Sequence, residues 1–386
     1  MGDINMNINK NINKKRVLTI LFAIVAIVAT VALTTNIFHK SAYATASSYA
    51  ISKPDKPNSS LKNVVVIATG GTIAGSGAKG KTTNYKAGVY DVKALTHSVE
   101  GLDKLANITG VQVCNVNSDD IKYDKWISIA NMINKLAKDD SIAGFVITHG
   151  TDTLDETAYF LNMVVKTDKP VVITGAMRPA TAISADGPMN IYQSVALAIS
   201  PNAVGKGVMV DFSDGIYGGR DVQKVNTSKT NAFGENDLGS LGFMRDDTPY
   251  FYNQSTKPHT TNTEFSVDGL TTLPKVGIAY FSVEADPGVL DYMAEHYDGI
   301  VVAGAGSGCM SEAWTKKLGG LESKNFPIVR TSRIADGEIA GDDQYDHYKN
   351  MIVGSNLAPQ KARILLQLAL TKTKNIDDIK TIFKKY

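Results

Sequence analysis

Two runs of apolar and β-branched residues in this 386-residue chain end in the same way. The first is Val64-Val65-Val66-Ile67-Ala68-Thr69-Gly70-Gly71-Thr72; the second is Phe145-Val146-Ile147-Thr148-His149-Gly150-Thr151-Asp152. Short runs of this kind read as buried strands, and the glycines read as tight exits. If both strands are parallel in one α/β sheet, their carboxyl ends lie on the edge where such sheets bind ligands. Thr72 and Thr151 then present two hydroxyls to one crevice with glycine amides beside them, an arrangement suited to acyl transfer.

The remainder of the chain extends this pattern. Val64–Ala68, Val111–Val116, Gly144–Thr148, Val171–Thr174 and Gly207–Asp211 read as strands. Between them, Trp126, Ile129, Ile133 and Leu136 recur at helical spacing, as do Leu154, Ala158 and Leu161, and then Ile191, Val195 and Ala198. Such alternation predicts a mostly parallel sheet flanked by helices. Asn253 to Thr263 is rich in Asn, Thr, Gln and Pro and interrupts it. A second series follows, with strands at Val276–Ser282, Gly299–Ala303 and Pro327–Thr331 and helices starting near Pro359 and Ile376. The expected fold is two-domain α/β: a large N-terminal domain over 62–251, a linker over 252–273 and a smaller α/β C-terminal domain over 274–386.

Residues 1–46 read as a targeting segment. Lys14-Lys15-Arg16 precedes an apolar stretch from Val17 to Leu33, and Ala42-Tyr43-Ala44 resembles a signal cleavage site. A cleaved signal is the expectation, giving a secreted or periplasmic protein; an uncleaved membrane anchor is the minor reading, as the stretch is close to a short span. Residues 47–61 read as a polar linker. The formal charge of +2 conceals a net +4 over residues 1–44, which leaves the remainder at −2. With no Lys/Arg stripe and interleaved aromatics, nothing favours nucleic acid. The two cysteines, Cys114 and Cys309, read as separate thiols, and the six histidines show no metal-ligand spacing. His149 reads as a structural residue beside a turn. No cofactor or metal is implied.

One motif points elsewhere. Gly75-Ser-Gly-Ala-Lys-Gly-Lys-Thr82 fits the phosphate-loop pattern, and Val208-Met209-Val210-Asp211 offers an acidic strand for magnesium. A phosphate loop leaves a strand directly and opens a helix. Here the strand ends near Ala68, and Thr83-Asn84-Tyr85-Lys86-Ala87-Gly88 is poor helix material. A mobile glycine-rich surface loop is the expectation, with an NTPase the remote alternative.

A threonine hydroxyl is a weak nucleophile until something accepts its proton. Asp152 is placed to bind an ammonium or orient a base, Lys224 is one candidate base, and Tyr85 reaches Thr72 if its loop closes as a lid. Thr153-Leu154-Asp155-Glu156 also reads as a helix start, so part of this segment has a purely structural alternative. Residue chemistry alone reaches a hydroxyl-based hydrolase without a substrate.

Longer segments narrow this. Ala68-Thr-Gly-Gly-Thr-Ile-Ala74, Ile147-Thr-His-Gly-Thr-Asp-Thr153, Gly175-Ala-Met-Arg-Pro179, Ser184-Ala-Asp-Gly-Pro188 and Pro359-Gln-Lys-Ala-Arg-Ile-Leu-Leu-Gln-Leu-Ala-Leu370 resemble, in order and spacing, segments of bacterial L-asparaginases. The resemblance runs from about residue 61 to the C-terminus, and the export signal points to the secreted type II branch. It implies Thr72 as nucleophile with Tyr85 as its loop partner. Thr151, Asp152 and Lys224 form a second, triad-like group, in which Asp152 also binds the substrate ammonium. Ser118 matches a ligand of the substrate α-carboxylate, and backbone groups near Gly71, Thr151 and Ala176 cradle the reacting amide. The implied reaction is hydrolysis of L-asparagine to L-aspartate and ammonia through an acyl-enzyme, without a cofactor. The implied assembly is a homotetramer in which a neighbour's C-terminal domain completes each site.

The chain departs from the family pattern in three places. Asp119 follows Ser118 where Gln or Glu is usual, keeping an anion on a shorter arm. Cys309 in Gly304-Ala-Gly-Ser-Gly-Cys309 stands where Asn or Ser is common, and a thiol is the weaker hydrogen-bonding group. The acidic contact from the neighbour falls at Gln344, beside Asp342 and Asp343. The expected substrate-binding set is therefore Gly71, Ser118, Asp119, Thr151, Asp152, Ala176, Cys309 and Gln344. Possible glutaminase side activity accompanies the asparaginase expectation, with a glutamine-preferring enzyme as the alternative and an inactive amino-acid-binding protein as a remote one.

Overall fold

The computed structural model describes residues 49–235 and 237–386. The expected targeting segment, 1–46, lies outside the described residues. In chain order the strands of the larger part are β1 Ala50–Ser52, β2 Asn63–Gly70, β3 Ser76–Gly77, β4 Tyr85–Lys86, β5 Asn107–Val116, β6 Ile142–Thr148, β7 Val171–Thr174, β8 Val208–Phe212, β9 Gly215–Gly218, β10 Gln223–Lys224, β11 Phe233–Gly234, β12 Gly242–Arg245 and β13 Thr248–Phe251. Its helices are α1 Val92–His97, α2 Leu102–Leu105, α3 Tyr123–Leu136, α4 Leu154–Val164 and α5 Gly187–Ile199. The smaller part holds strands β14 Val276–Tyr280, β15 Gly299–Gly304, β16 Ile328–Ser332 and β17 Met351–Val353, with helices α6 Val289–His296, α7 Glu312–Gly319, α8 Asp343–Asp346, α9 Pro359–Leu370 and α10 Ile376–Lys385. The fold is two-domain α/β.

The main sheet has the order β1-β5-β2-β6-β7-β8-β9-β12-β13. Its centre, from β5 to β8, is parallel. The central strands are buried on both faces, as crossover helices demand, so they read as nearly continuous apolar runs. Val64, Val66 and Ala68 alternate along β2 onto the face covered by Ile191 and Val195 of α5. Helices α3 and α4 pack together, with Trp126 stacked on Phe160 at 5.1 Å between ring centroids. Nearly all of α4 is buried, because α9 lies against it as well.

Both sheet edges differ from the parallel expectation. β1 lies inside the expected linker 47–61 and pairs antiparallel with β5. At the other edge β8, β9, β12 and β13 run antiparallel. The reason is turn chemistry: Ser213 and Asp214 both take positive φ, 47° and 68°, between β8 and β9. A two-residue turn of that hand forces a hairpin. Asp246, with φ 54°, begins the turn between β12 and β13. The expected linker 252–273 is packed rather than loose. Phe265 and Val267 are buried, and Lys166 Nζ donates to the carbonyls of Thr260 at 3.0 Å and Thr263 at 2.7 Å.

The smaller sheet, β14-β15-β16-β17, is entirely parallel. One face packs on Leu290, Trp314 and Leu318, and the other meets α9 and α10. Pro359 opens α9, where its missing N–H costs nothing. Asn375 caps α10 by accepting from Asp377 N and Asp378 N, with acids in the first turn and lysines in the last.

Candidate active site

Three neighbouring strand ends build the site. β2 lies between β5 and β6, so the segments that leave them meet at one edge. Gly71 has φ 78°, and a Cβ there would stand 2.3 Å from Gly150 Cα. A Cβ on Gly150 would in turn meet the Ser118 side chain at 2.9 Å. The glycines that precede the two threonines thus let three backbones approach more closely than side chains permit. Each exit continues into a short 3-10 turn: Thr72–Ala74 after β2, Ser118–Asp120 after β5 and Thr151–Thr153 after β6.

These turns surround a cavity of about 190 Å³ lined by Gly71, Thr72, Tyr85, Ala87, Asn117, Ser118, Gly150, Thr151 and Asp152. A dry cavity of about 150 Å³ holds benzene, so the space suits a ligand the size of one amino acid. Thr72 Oγ1 and Tyr85 Oη are 2.7 Å apart. Lys224 Nζ donates to Thr151 Oγ1 at 2.8 Å and to Asp152 Oδ1 at 2.6 Å. Thr151 and Lys224 are largely buried while Asp152 is 70 % exposed, so a carboxylate faces the open space above the pair. Ser118 is buried; its Oγ accepts from Asp152 N at 3.2 Å, and its carbonyl accepts from Thr153 Oγ1 at 2.8 Å. The Ser118 hydroxyl proton remains available to an incoming acceptor.

Two further segments are tied to this edge. Tyr85 sits on the β3–β4 hairpin, whose glycines bond to one residue: Gly77 N donates to Thr181 Oγ1 at 3.0 Å, and Gly80 N to the Thr181 carbonyl at 2.8 Å. The loop 175–179 is fixed by Asp186, which accepts from Met177 N and Arg178 N. Lys224 is presented by the two-residue β10–β11 ladder, 73 residues beyond Thr151.

Of the residues expected from sequence, Gly71, Thr72, Tyr85, Ser118, Thr151 and Asp152 line the cavity, and Lys224 is bonded to two of them. Asp119 is exposed and lines an adjoining space with Lys122, Tyr123 and Arg363 instead. Its side chain points there because it follows Ser118 on a tight turn, where successive residues face different ways. The Ala176 side chain is fully buried in the core, and its neighbour Gly175 packs against Thr151. Cys309, in the loop after β15, and Gln344, in α8, belong to the smaller domain and do not line the cavity in this chain. Sequence reasoning missed Asn117 and Ala87 as lining residues. Their closeness in sequence to Ser118 and Tyr85 was the only signal.

Several other sequence motifs are now accounted for. The Gly75–Thr82 segment opens no helix, and its Gly77 and Gly80 amides donate to Thr181, its Gly75 and Lys81 amides to Thr72 and Ala78. Asp211 is fully buried, hydrogen-bonded to Ser194 at 2.8 Å and pushed up to about 8 by burial, so it offers nothing to magnesium. His149 is fully buried. Its Nδ1 meets the Gly150 carbonyl at 2.7 Å and its Nε2 meets Thr157 Oγ1 at 2.9 Å, while burial lowers it to about 4. It braces the turn as a neutral ring. Cys114 and Cys309 are separate free thiols, and burial pushes Cys114 up to about 11.

Comparison with known proteins gives this geometry a family. Residues 63–257 match the model of the asparaginase N-terminal domain, and residues 275–383 match that of the glutaminase/asparaginase C-terminal domain. L-asparaginase 2 of Bacillus subtilis is 44% identical over 328 residues, covering 84% of this chain and 87% of that protein. The glutaminase-asparaginase of Acinetobacter glutaminasificans is 43% identical over 330 residues, covering 84% and 99%. Among solved structures, a probable cytoplasmic L-asparaginase from Campylobacter jejuni superposes with a TM-score of 0.81 at 43% identity, covering 84% of this chain and all of that one. With both family models in sequence order and relatives above 40% identity over most of its length, the chain belongs to the asparaginase family of amidohydrolases.

Proposed function

We propose that this chain hydrolyses L-asparagine to L-aspartate and ammonia through a threonine acyl-enzyme. The observation that carries the reading is the pairing across one cavity of Thr72–Tyr85 with Thr151–Lys224–Asp152. Thr72 Oγ attacks the side-chain carboxamide carbon while its proton leaves toward Tyr85 Oη. The first amides of the turns at Thr72 and Thr151 have no acceptor within their own turns, and they face the developing oxyanion. The C–N bond breaks as the nitrogen takes up a proton and departs as ammonia. Water, oriented by the Thr151 hydroxyl and Lys224, then adds to the ester, releases aspartate and restores Thr72. The Ser118 hydroxyl binds the substrate α-carboxylate, and the exposed Asp152 carboxylate binds its ammonium. The test is ammonia release from asparagine by residues 45–386 in the presence of a chelator, with Thr72→Ala as the control. Activity independent of Thr72 would overturn the reading.

Glutaminase side activity belongs to the same proposal, supported by relatives that bear the name glutaminase-asparaginase. Ammonia release from glutamine and asparagine at equal low concentration ranks the two substrates. Domains over 62–251 and 274–386, joined by 252–273, are also proposed, and the family matches over 63–257 and 275–383 support them. Secretion after cleavage near Ala44 is proposed from residues 1–46. A Haemophilus influenzae relative, 42% identical, is named a probable periplasmic L-asparaginase, whereas the Campylobacter jejuni structure is named cytoplasmic. Among the described residues, no helix is long and apolar enough to cross a membrane. Sequencing the N-terminus of the exported protein decides. A homotetramer is proposed because Tyr280, Val283, Val289 and Tyr292 expose large apolar surface on the smaller domain, and because Cys309 and Gln344 lie outside the cavity of their own chain. Sedimentation equilibrium checks it.

A further inference from the structure

The first turn of α9 sends two consecutive side chains to two different parts of the site. Gln360 Nε2 donates to Asp155 Oδ2 at 3.1 Å. Asp155 is buried in the first turn of α4, directly after the turn that carries Thr151 and Asp152. Lys361, 1% exposed, donates through Nζ to the Arg220 carbonyl at 2.6 Å and to the Val222 carbonyl as well. Val222 is two residues before Lys224. The charges of Asp155 of α4, of Asp221 and of Glu235 beyond β11 favour the same ammonium, and that of Arg220 opposes it.

A fully buried lysine is costly unless its donors are met, and here two carbonyls outside any regular ladder meet two of the three. Arg220 anchors the same segment through its side chain: Nε donates to the main-chain oxygen of Tyr386 at 2.8 Å, and Nη2 to Asn356 Oδ1 at 2.8 Å. This external hold matters because β10 and β11 are two residues each. A ladder that short does not fix its own position, and the Lys224 side chain adds four rotatable bonds to the uncertainty.

We infer that Gln360 and Lys361 are positioning residues. They hold the segment bearing Lys224 against the turn bearing Thr151 and Asp152, so that Lys224 Nζ stays within hydrogen-bond reach of both. The inference rests on the reading of Lys224 as the group that acts with Thr151. Neither Gln360 nor Lys361 lines the cavity, so both act through other residues.

The experiment compares full-length Lys361→Met and Gln360→Leu with the unaltered protein in three measurements: steady-state kinetics on asparagine, thermal melting, and modification of Lys224 by an amine-reactive reagent, read by mass spectrometry. Lys361→Met is expected to lower kcat about 10- to 100-fold, the range for a group displaced by about an ångström. KM stays near its original value, and Lys224 is modified several-fold faster while the exposed lysines are unchanged. Gln360→Leu shows a smaller loss in the same direction, and it decides by the same readouts if Lys361→Met does not fold. A lower melting temperature with unaltered kcat and unaltered Lys224 modification in the folded variants overturns the inference. Lys224→Met, assayed alongside, separates the two levels. Full activity in that variant rejects the role given to Lys224, whereas an inactive Lys224→Met beside a fully active Lys361→Met rejects only the positioning role.

Discussion

Thr72 and Thr151 leave neighbouring parallel strands through equivalent glycine exits, yet their partners are assembled differently. Thr72 meets Tyr85, thirteen residues away on a hairpin of two two-residue strands with half-buried or exposed residues. Thr151 meets Lys224, which is largely buried and 73 residues away, on a segment anchored to α9. The first pair is a local construction at the rim. The second depends on the packing of distant elements. If the hairpin opens as a lid, Thr72 loses its partner while substrate enters and product leaves. A hydroxyl held by a buried ammonium suits a fixed reference point.

The largest effects should come from removing either hydroxyl. Thr72→Ala and Thr151→Ala are each expected to lower kcat by at least about 10⁴-fold, and the double variant by little more, because groups acting as a unit are not additive. Multiplying losses would mean that the two threonines act independently. Lys224→Met is expected to cost about 10²- to 10⁴-fold in kcat, the range for loss of an acid–base group. Tyr85→Phe should cost about 10²-fold, at the lower limit of that range. If Tyr85→Phe proves the worse of the two, the contrast between a local rim pair and a fixed pair is reversed. Ser118→Ala is expected to raise KM about 10- to 150-fold with kcat kept, matching the loss of one hydrogen bond to a charged group, about 1.5 to 3 kcal/mol.

The smallest effect concerns the brace beneath the fixed pair and appears in stability rather than rate. His149 is lowered to about 4 in the folded protein from an ordinary value near 6.5. The unfolded chain therefore binds the extra proton first as pH falls. The stabilisation is fully present above pH 6.5 and is lost progressively toward pH 4, by at most about 3 kcal/mol. In His149→Gln this pH dependence should be absent. Urea unfolding at fixed protein concentration from pH 7 to pH 4 should show the gap between the two proteins closing with acid.

The reach of sequence reasoning follows the same division. The strand at Val171–Thr174 and the helices starting at Pro359 and Ile376 were legible because burial periodicity and capping are local properties. The antiparallel edges were not, because the Ser213-Asp214 turn reads as an ordinary polar break until its two positive φ values are seen. Asp119 carries the right neighbour in sequence, but it lines an adjoining space rather than the cavity. One residue along a tight turn is enough to change which space a side chain enters.

The sequence by itself determined the two glycine–threonine exits, the run of strands and helices that carries them, and the residue types that line the cavity. Those depend on spacings of two to four residues, which a chain displays directly. Only the tertiary structure decided that β2 lies between β5 and β6, that Gly71 and Gly150 touch, and that Lys224 reaches Thr151 from a segment held by Gln360 and Lys361. Those contacts span 44 to 205 residues, and they arise from sheet order and helix packing rather than from any local pattern.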